Sequence, residues 1–191
     1  MPEPIKEEVR RAAGYLQRGL VILYPTDTVW GIGCDATDPD AVSRIYRIKQ
    51  RSDRKSMLVL MDDPAMLSSF IQVIPPATGT LIDKADKPTT IIFPGAKNLA
   101  CNLVAEDGSI GIRITSDPFC RQLIKRIGKP VVSTSANLSG EKAPLSFREI
   151  DPEILAKVDY AVNWRREELK EGIPSTIVRL DLNGNITLIR P

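Results

Sequence analysis

The chain has 191 residues, 42% hydrophobic and 26% charged, with a formal net charge of +2. That length and balance fit one soluble globular domain with a substantial core, and so small a charge gives no overall field of the kind that marks a nucleic-acid binder. Histidine is absent, which excludes histidine acid–base catalysis and histidine metal sites and leaves Lys, Arg, carboxylates, hydroxyls and the backbone to carry any chemistry.

Residues 6–18 set Val9, Ala12, Ala13 and Leu16 on one face with charges opposite, which predicts an amphipathic helix ended by Gly19. "LVILY" (20–24) reads as a buried strand. Asp38 as N-cap and Pro39 at the first helical position open the next helix, whose apolar residues run through Ala41, Val42, Ile45, Tyr46 and Ile48. "SMLVLM" (56–61) is a strand, followed by a short helix from Pro64 and a further helix beginning near Pro76. "TTIIF" (89–93) and "IGIRI" (110–114) are strands, and "SDPFCRQLIKRIG" repeats the capped-helix pattern from Pro118 to Gly128. "VVS" (131–133) and "STIVRL" (175–180) are strands, and Asn183-Gly184 turns the second into "ITLIR". Strands alternating with helices predict an α/β fold, a twisted, mostly mixed sheet flanked by helices, with a terminal antiparallel hairpin. No linker or repeat divides the chain, so one domain over 1–191 is expected.

Cys34, Cys101 and Cys120 are widely spaced and odd in number, which fits a reducing compartment. No apolar run approaches the roughly 18–20 residues of a membrane span, and "MPEPIKEEVRR" has no signal-peptide core. The expected location is cytoplasmic.

Five segments could carry chemistry. "YPTDTVWGIGCDA" (24–36) leaves a buried strand through Thr26, Asp27 and Thr28 to Gly31 and Gly33, a place where open α/β sheets bind ligands; the alternative is a turn with side-chain-to-backbone bonds. "RIYRIKQRSDRKS" (44–56) gathers Arg44, Arg47, Lys49, Arg51, Arg54 and Lys55 around Asp53. Such runs are often solvated helix faces, but the apolar pattern fades near Ile48, and cations on one side of a cleft suit a polyphosphate. Arg113 interrupts the apolar strand "IGIRI", facing either solvent or a polar cleft where an anion must pair with it. "STSANLSG" (133–140) ends a strand in five small hydrogen-bonding residues, and "GIPSTIV" (172–178) puts Ser175 and Thr176 at a strand entrance, which could equally be punctuation. None of the serines of the 133–140 loop has a base to activate it as a nucleophile, so that loop reads as a gripping surface.

Taken in order, "YPTDTVWGIGCDA", "KQRSDRKS", "IGIRI", "STSANLSG" and "PSTIV" resemble the YrdC/TsaC family of L-threonylcarbamoyladenylate synthases. The resemblance runs from about Gly19 to Arg190, and its signature is the K-x-R pair Lys49/Arg51 with the later S-x-N of Ser135/Asn137. It implies a twisted α/β sheet with a large basic cleft. It implies an enzyme that condenses L-threonine, bicarbonate or CO2, and ATP to threonylcarbamoyl-AMP and pyrophosphate, with Mg2+ on the ATP phosphates and no metal ligands of its own. A separate transferase complex would then modify tRNA, and weak RNA contact belongs to the same expectation.

By position the resemblance assigns Lys49, Arg51, Ser135 and Asn137 to the catalytic signature. It assigns Arg51, Lys55, Ser109, Ser135, Ala143 and Arg190 to ATP, and Thr28, Leu60, Arg113, Ser133 and Ser175 to threonine, with Arg113 opposite its carboxylate. The chain departs from the family pattern at Trp30, usually Tyr, at Ser52 and Ser56, often Pro, at Leu60, often His, and at Ala143, a serine elsewhere. The extra C-terminal domain of longer relatives is not expected. Two alternatives stay open: a nucleotide hydrolase of the same fold that has lost threonine specificity, and a non-catalytic RNA-binding module.

Overall fold

The computed structural model describes residues 3–50, 57–168 and 174–191. Helix α1 (Glu3–Leu16) leads into β1 (Ile22–Tyr24) and β2 (Gly31–Gly33), then α2 (Pro39–Ile48) and β3 (Leu58–Met61). A 3-10 turn at Pro64–Met66, α3 (Leu67–Phe70) and α4 (Thr78–Asp83) precede β4 (Thr89–Phe93) and β5 (Ile110–Ile114). The chain closes with α5 (Pro118–Ile127), β6 (Val131–Ser135), α6 (Pro152–Lys157), β7 (Tyr160–Ala161), β8 (Thr176–Leu180) and β9 (Ile186–Arg190).

Local chemistry sets these boundaries. Asp38 and Asp117 each accept two backbone N–H bonds at the starts of α2 and α5, with proline at the first helical positions. Gly128, at φ 68°, ends α5 in the left-handed conformation. The first helix starts earlier than its apolar spacing predicts and stops at Leu16, before Gly19 at φ 70°.

The strands form one nine-stranded sheet in the order β7-β1-β2-β6-β3-β5-β4-β8-β9. It is parallel at β7/β1, β3/β5 and β4/β8 and antiparallel at the other pairings. The predicted terminal hairpin is there, with Gly184 at φ 88° in its turn. β2 and β7 escape the sequence reading: β2 is only Gly-Ile-Gly, and β7 only two residues. β2 pairs with both β1 and β6. A Cβ on Gly33 would lie 2.4 Å from the Val132 carbonyl oxygen and 2.6 Å from the Tyr24 ring, so only glycine fits there.

Two apolar clusters hold the sheet. One joins Leu23, Ile32, Val59, Ile91 and Ile112 to the apolar face of α2. The other joins Ile22, Tyr24 and Leu60 to α1 and α5, through Leu16, Phe119 and Leu123 among others. Polar ties fix the β7 edge: Asp159 accepts from the Val21 amide and pairs with Arg44, while Glu8 accepts from Tyr160 and the Asn163 amide. No helix among the described residues is long and apolar enough to cross a membrane.

Candidate active site

A cavity of about 430 Å3 opens over one face of the sheet. Strand alternation decides which side chains enter it. Ser175, Ile177 and Arg179 line it from β8 and its entrance; Thr90 and Ile92 line it from β4, Gly111 and Arg113 from β5, and Ser133 and Ser135 from β6. Ile91 and Ile112, one residue out of phase, face the core instead. Arg190 of β9 and Thr28 of the loop before β2 complete the wall. Among the described residues the lining holds Arg113, Arg179 and Arg190 and no carboxylate.

Arg113 is buried, yet it is paired. Its Nη2 lies 2.8 Å from Asp27 Oδ1 and 3.3 Å from the Thr28 hydroxyl. Asp27 Oδ2 in turn accepts from the Thr115 hydroxyl at 3.1 Å. A buried guanidinium with one carboxylate partner meets the requirement for keeping its charge, and its Nε, buried without a hydrogen-bond partner among the described residues, leaves donor capacity unused. Arg190 donates to the Ser175 carbonyl at 2.7 and 3.1 Å, and the Ser175 hydroxyl shares a hydrogen bond with Thr90 at 2.8 Å. Burial first, and the nearby Arg113 charge second, push the Arg190 guanidinium below its ordinary pKa. Arg190, which has no carboxylate partner among the described residues, and the unused Nε of Arg113 together make a seat for an anion. Ser109 stands at the same wall, its hydroxyl and amide both donating to Asp107 at 2.5 and 3.0 Å, and Ala143 lines it too.

The structure thus brings Thr28, Arg113, Ser133 and Ser175 together, with Ser109, Ser135, Ala143 and Arg190 around the same cavity. Arg51 and Lys55 lie outside the described residues. Three of the assigned residues, Leu60, Lys49 and Asn137, stand apart from the cavity lining. Leu60 sits beside Arg113 in register, but its side chain is fully buried in the cluster with α1 and α5 and does not line the cavity. It packs as part of the floor beneath the cavity. Lys49 is 2% exposed, and its ammonium donates to the carbonyls of Ser135 and Asn137, the latter at 2.7 Å. Its own carbonyl accepts from the Ser139 amide at 3.0 Å. Lys49 therefore holds the S-x-N loop in shape, and its backbone caps the end of α2 in helical conformation. Asn137 likewise spends its amide on the carbonyls of Leu138 and Glu141, both at 2.8 Å, and does not line the cavity.

This geometry has relatives. The Sua5/YciO/YrdC family model, described as "Telomere recombination", matches residues 14–191. The chain belongs to this family. A threonylcarbamoyl-AMP synthase of Pseudoalteromonas translucida is 32% identical over 90% of this chain and 91% of its own length. One of Bos taurus is 30% identical over 97% of this chain and 68% of its own. The crystal structure of P. abyssi Sua5 complexed with L-threonine superposes with a TM-score of 0.83 at 25% identity; it covers 90% of this chain, which spans half of that longer protein.

Two polar residues of the lining, Thr90 and Arg179, are not among the positions the sequence singles out. Thr90 was read only as part of a strand, although a threonine out of phase with Ile91 and Phe93 signals a polar face. Arg179 follows Ser175 and Ile177 at two-residue spacing, the strand signal for one shared face.

Proposed function

We propose that this Sua5/YciO/YrdC chain is a threonylcarbamoyl-AMP synthase, which joins L-threonine, CO2 or bicarbonate, and ATP and releases pyrophosphate. The observation that carries the reading is a cavity lined by Arg113, Arg179, Arg190 and a run of hydroxyls, with no carboxylate among the described residues of its wall. It suits two anionic reactants, an amino-acid carboxylate and a nucleotide phosphate chain.

Threonine binds with its carboxylate toward Arg113, and Thr28, Ser133 and Ser175 offer hydroxyls to its polar groups. The threonine amine attacks the carbon of CO2, forming a C–N bond and losing a proton to solvent. A carbamate oxygen then attacks the α-phosphorus, and the bond to pyrophosphate breaks. No step needs histidine. What the protein supplies is juxtaposition of three reactants and fixed positive charge against the leaving group. Ser109, Ser135 and Arg190 stand on the nucleotide side. Mg2+ enters as part of the ATP substrate; a wall of hydroxyls fits an ion held mainly by phosphate oxygens and water. The adenylate product, a mixed anhydride, suits transfer of its threonylcarbamoyl group to tRNA by a separate enzyme.

The test is pyrophosphate release from ATP and Mg2+ with bicarbonate, with and without L-threonine. Release that requires threonine supports the reading. Release that ignores threonine would assign the site to a nucleotide hydrolase.

A further inference from the structure

Outside the cavity wall, three described non-glycine residues, Gln50, Asn98 and Arg165, have a positive φ, and of these Arg165 has a side chain tied to the loop before β2. Arg165 has φ 59°, the left-handed region that non-glycine residues rarely adopt. Its side chain is 15% exposed and ion-paired with Asp117, which is 2% exposed, at 2.7 Å. Its other terminal nitrogen donates to the Thr26 carbonyl at 3.0 Å.

From these two contacts, two hydrogen-bonded routes run inward and meet at Arg113. In the first, the Thr26 hydroxyl donates to the Val29 carbonyl at 2.7 Å, accepts from the Thr28 amide and shares a hydrogen bond with the Thr28 hydroxyl, both at 3.1 Å. Thr28 in turn accepts from Arg113. In the second, Asp117 caps α5 while its own amide donates to the Thr115 hydroxyl at 3.2 Å. That hydroxyl donates to Asp27, and Asp27 holds Arg113. Both routes are short, and their members are largely buried, which is where a change at one end is least dissipated into water.

We propose that Arg165 is a positioning residue. It braces the 25–30 loop and thereby fixes the orientation of Thr28, Asp27 and Arg113 toward the amino-acid carboxylate. It touches no reactant. The inference rests on the threonine reading of the cavity, and it selects one side of it, since Ser109, Ser135, Ala143 and Arg190 lie on neither route.

Arg165→Gly tests it, because glycine accepts φ 59° without strain, so the side chain is removed with no backbone strain added. In the full chain, the KM for L-threonine should rise roughly tenfold, the scale of one lost charge-assisted contact, with the KM for ATP unchanged. Arg165→Lys, which keeps the charge but cannot serve both partners, should fall between. Hydrogen–deuterium exchange, read without substrates, should quicken in 25–30 and not in 131–137. Unchanged threonine KM and exchange in Arg165→Gly would overturn the proposal. So would equal losses in both KM values together with a lowered melting temperature, the mark of a merely structural role. If the unaltered protein shows no threonine-dependent turnover, the functional reading fails by itself, and the exchange comparison still decides whether Arg165 braces the loop.

Discussion

Arg113 shows how a single residue ties fold to site. Its partner Asp27 is 9% exposed, so Arg113→Met strands a buried carboxylate. Stability should fall by about 3–5 kcal/mol, read as a shift in the urea midpoint, and threonine affinity should fall at least about a hundredfold, or roughly 2.7 kcal/mol. Adding Asp27→Asn should restore most of the stability and none of the affinity. Restored affinity would remove Arg113 from the substrate seat. Asp107 shows a smaller effect with a defined sign. The Ser109 hydroxyl first, and Arg179 second, lower its carboxyl to about 2. Because the folded pKa is depressed, its contribution to stability is complete above the unfolded value near 3.9 and disappears as pH falls toward 2. Asp107→Asn should therefore be less stable than the parent at pH 6, with the gap closing by pH 2. Asp107 is half exposed, so the gap should be small.

At the scale of elements, β2 and the loop after β6 carry the lesson about legibility. Gly31-Ile32-Gly33 resembles a ligand loop by spacing, and Gly31 does line the cavity. Gly33 has a different reason, the Tyr24 ring and the Val132 carbonyl that occupy its Cβ position, and no spacing rule sees a neighbour distant in sequence. Gly33→Ala should cost about 3 kcal/mol, the upper range for overpacking. Gly31→Ala, whose Cβ would meet the Ser133 hydroxyl at 3.3 Å, should cost less stability while narrowing the cavity. Melting curves and threonine titrations separate the two. Lys49 is legible as important from its place in a basic run, but its direction is not. A lysine in a basic run suggests a phosphate ligand, whereas its direction is set by the carbonyls of Ser135 and Asn137, which lie more than eighty residues away in sequence. The capped helices α2 and α5 and the β8/β9 hairpin were readable because their signals are local: Asp-Pro at a helix start, Gly at an end, Asn-Gly at a turn.

For the whole molecule, alternating elements predict α/β, but strand order comes from pairings over long separations and was not readable. Nor was the placing of Leu60 on the cavity's face of the sheet yet beneath α1 and α5. The thiols report on the integrity of that packing. Burial raises the pKa of Cys34 and of Cys120, while Cys101 is exposed. Thiol labelling at neutral pH should modify Cys101 alone in the native protein and all three cysteines in denaturant; rapid native labelling of Cys34 or Cys120 would contradict the packing. The most direct measurement of function follows the carbon. The protein is incubated with ATP, Mg2+, L-threonine and 13C-bicarbonate, and the nucleotide products are weighed by mass spectrometry. The expected result is an adenylate carrying both threonine and one 13C; AMP or ADP without that labelled adduct would contradict the synthase reading.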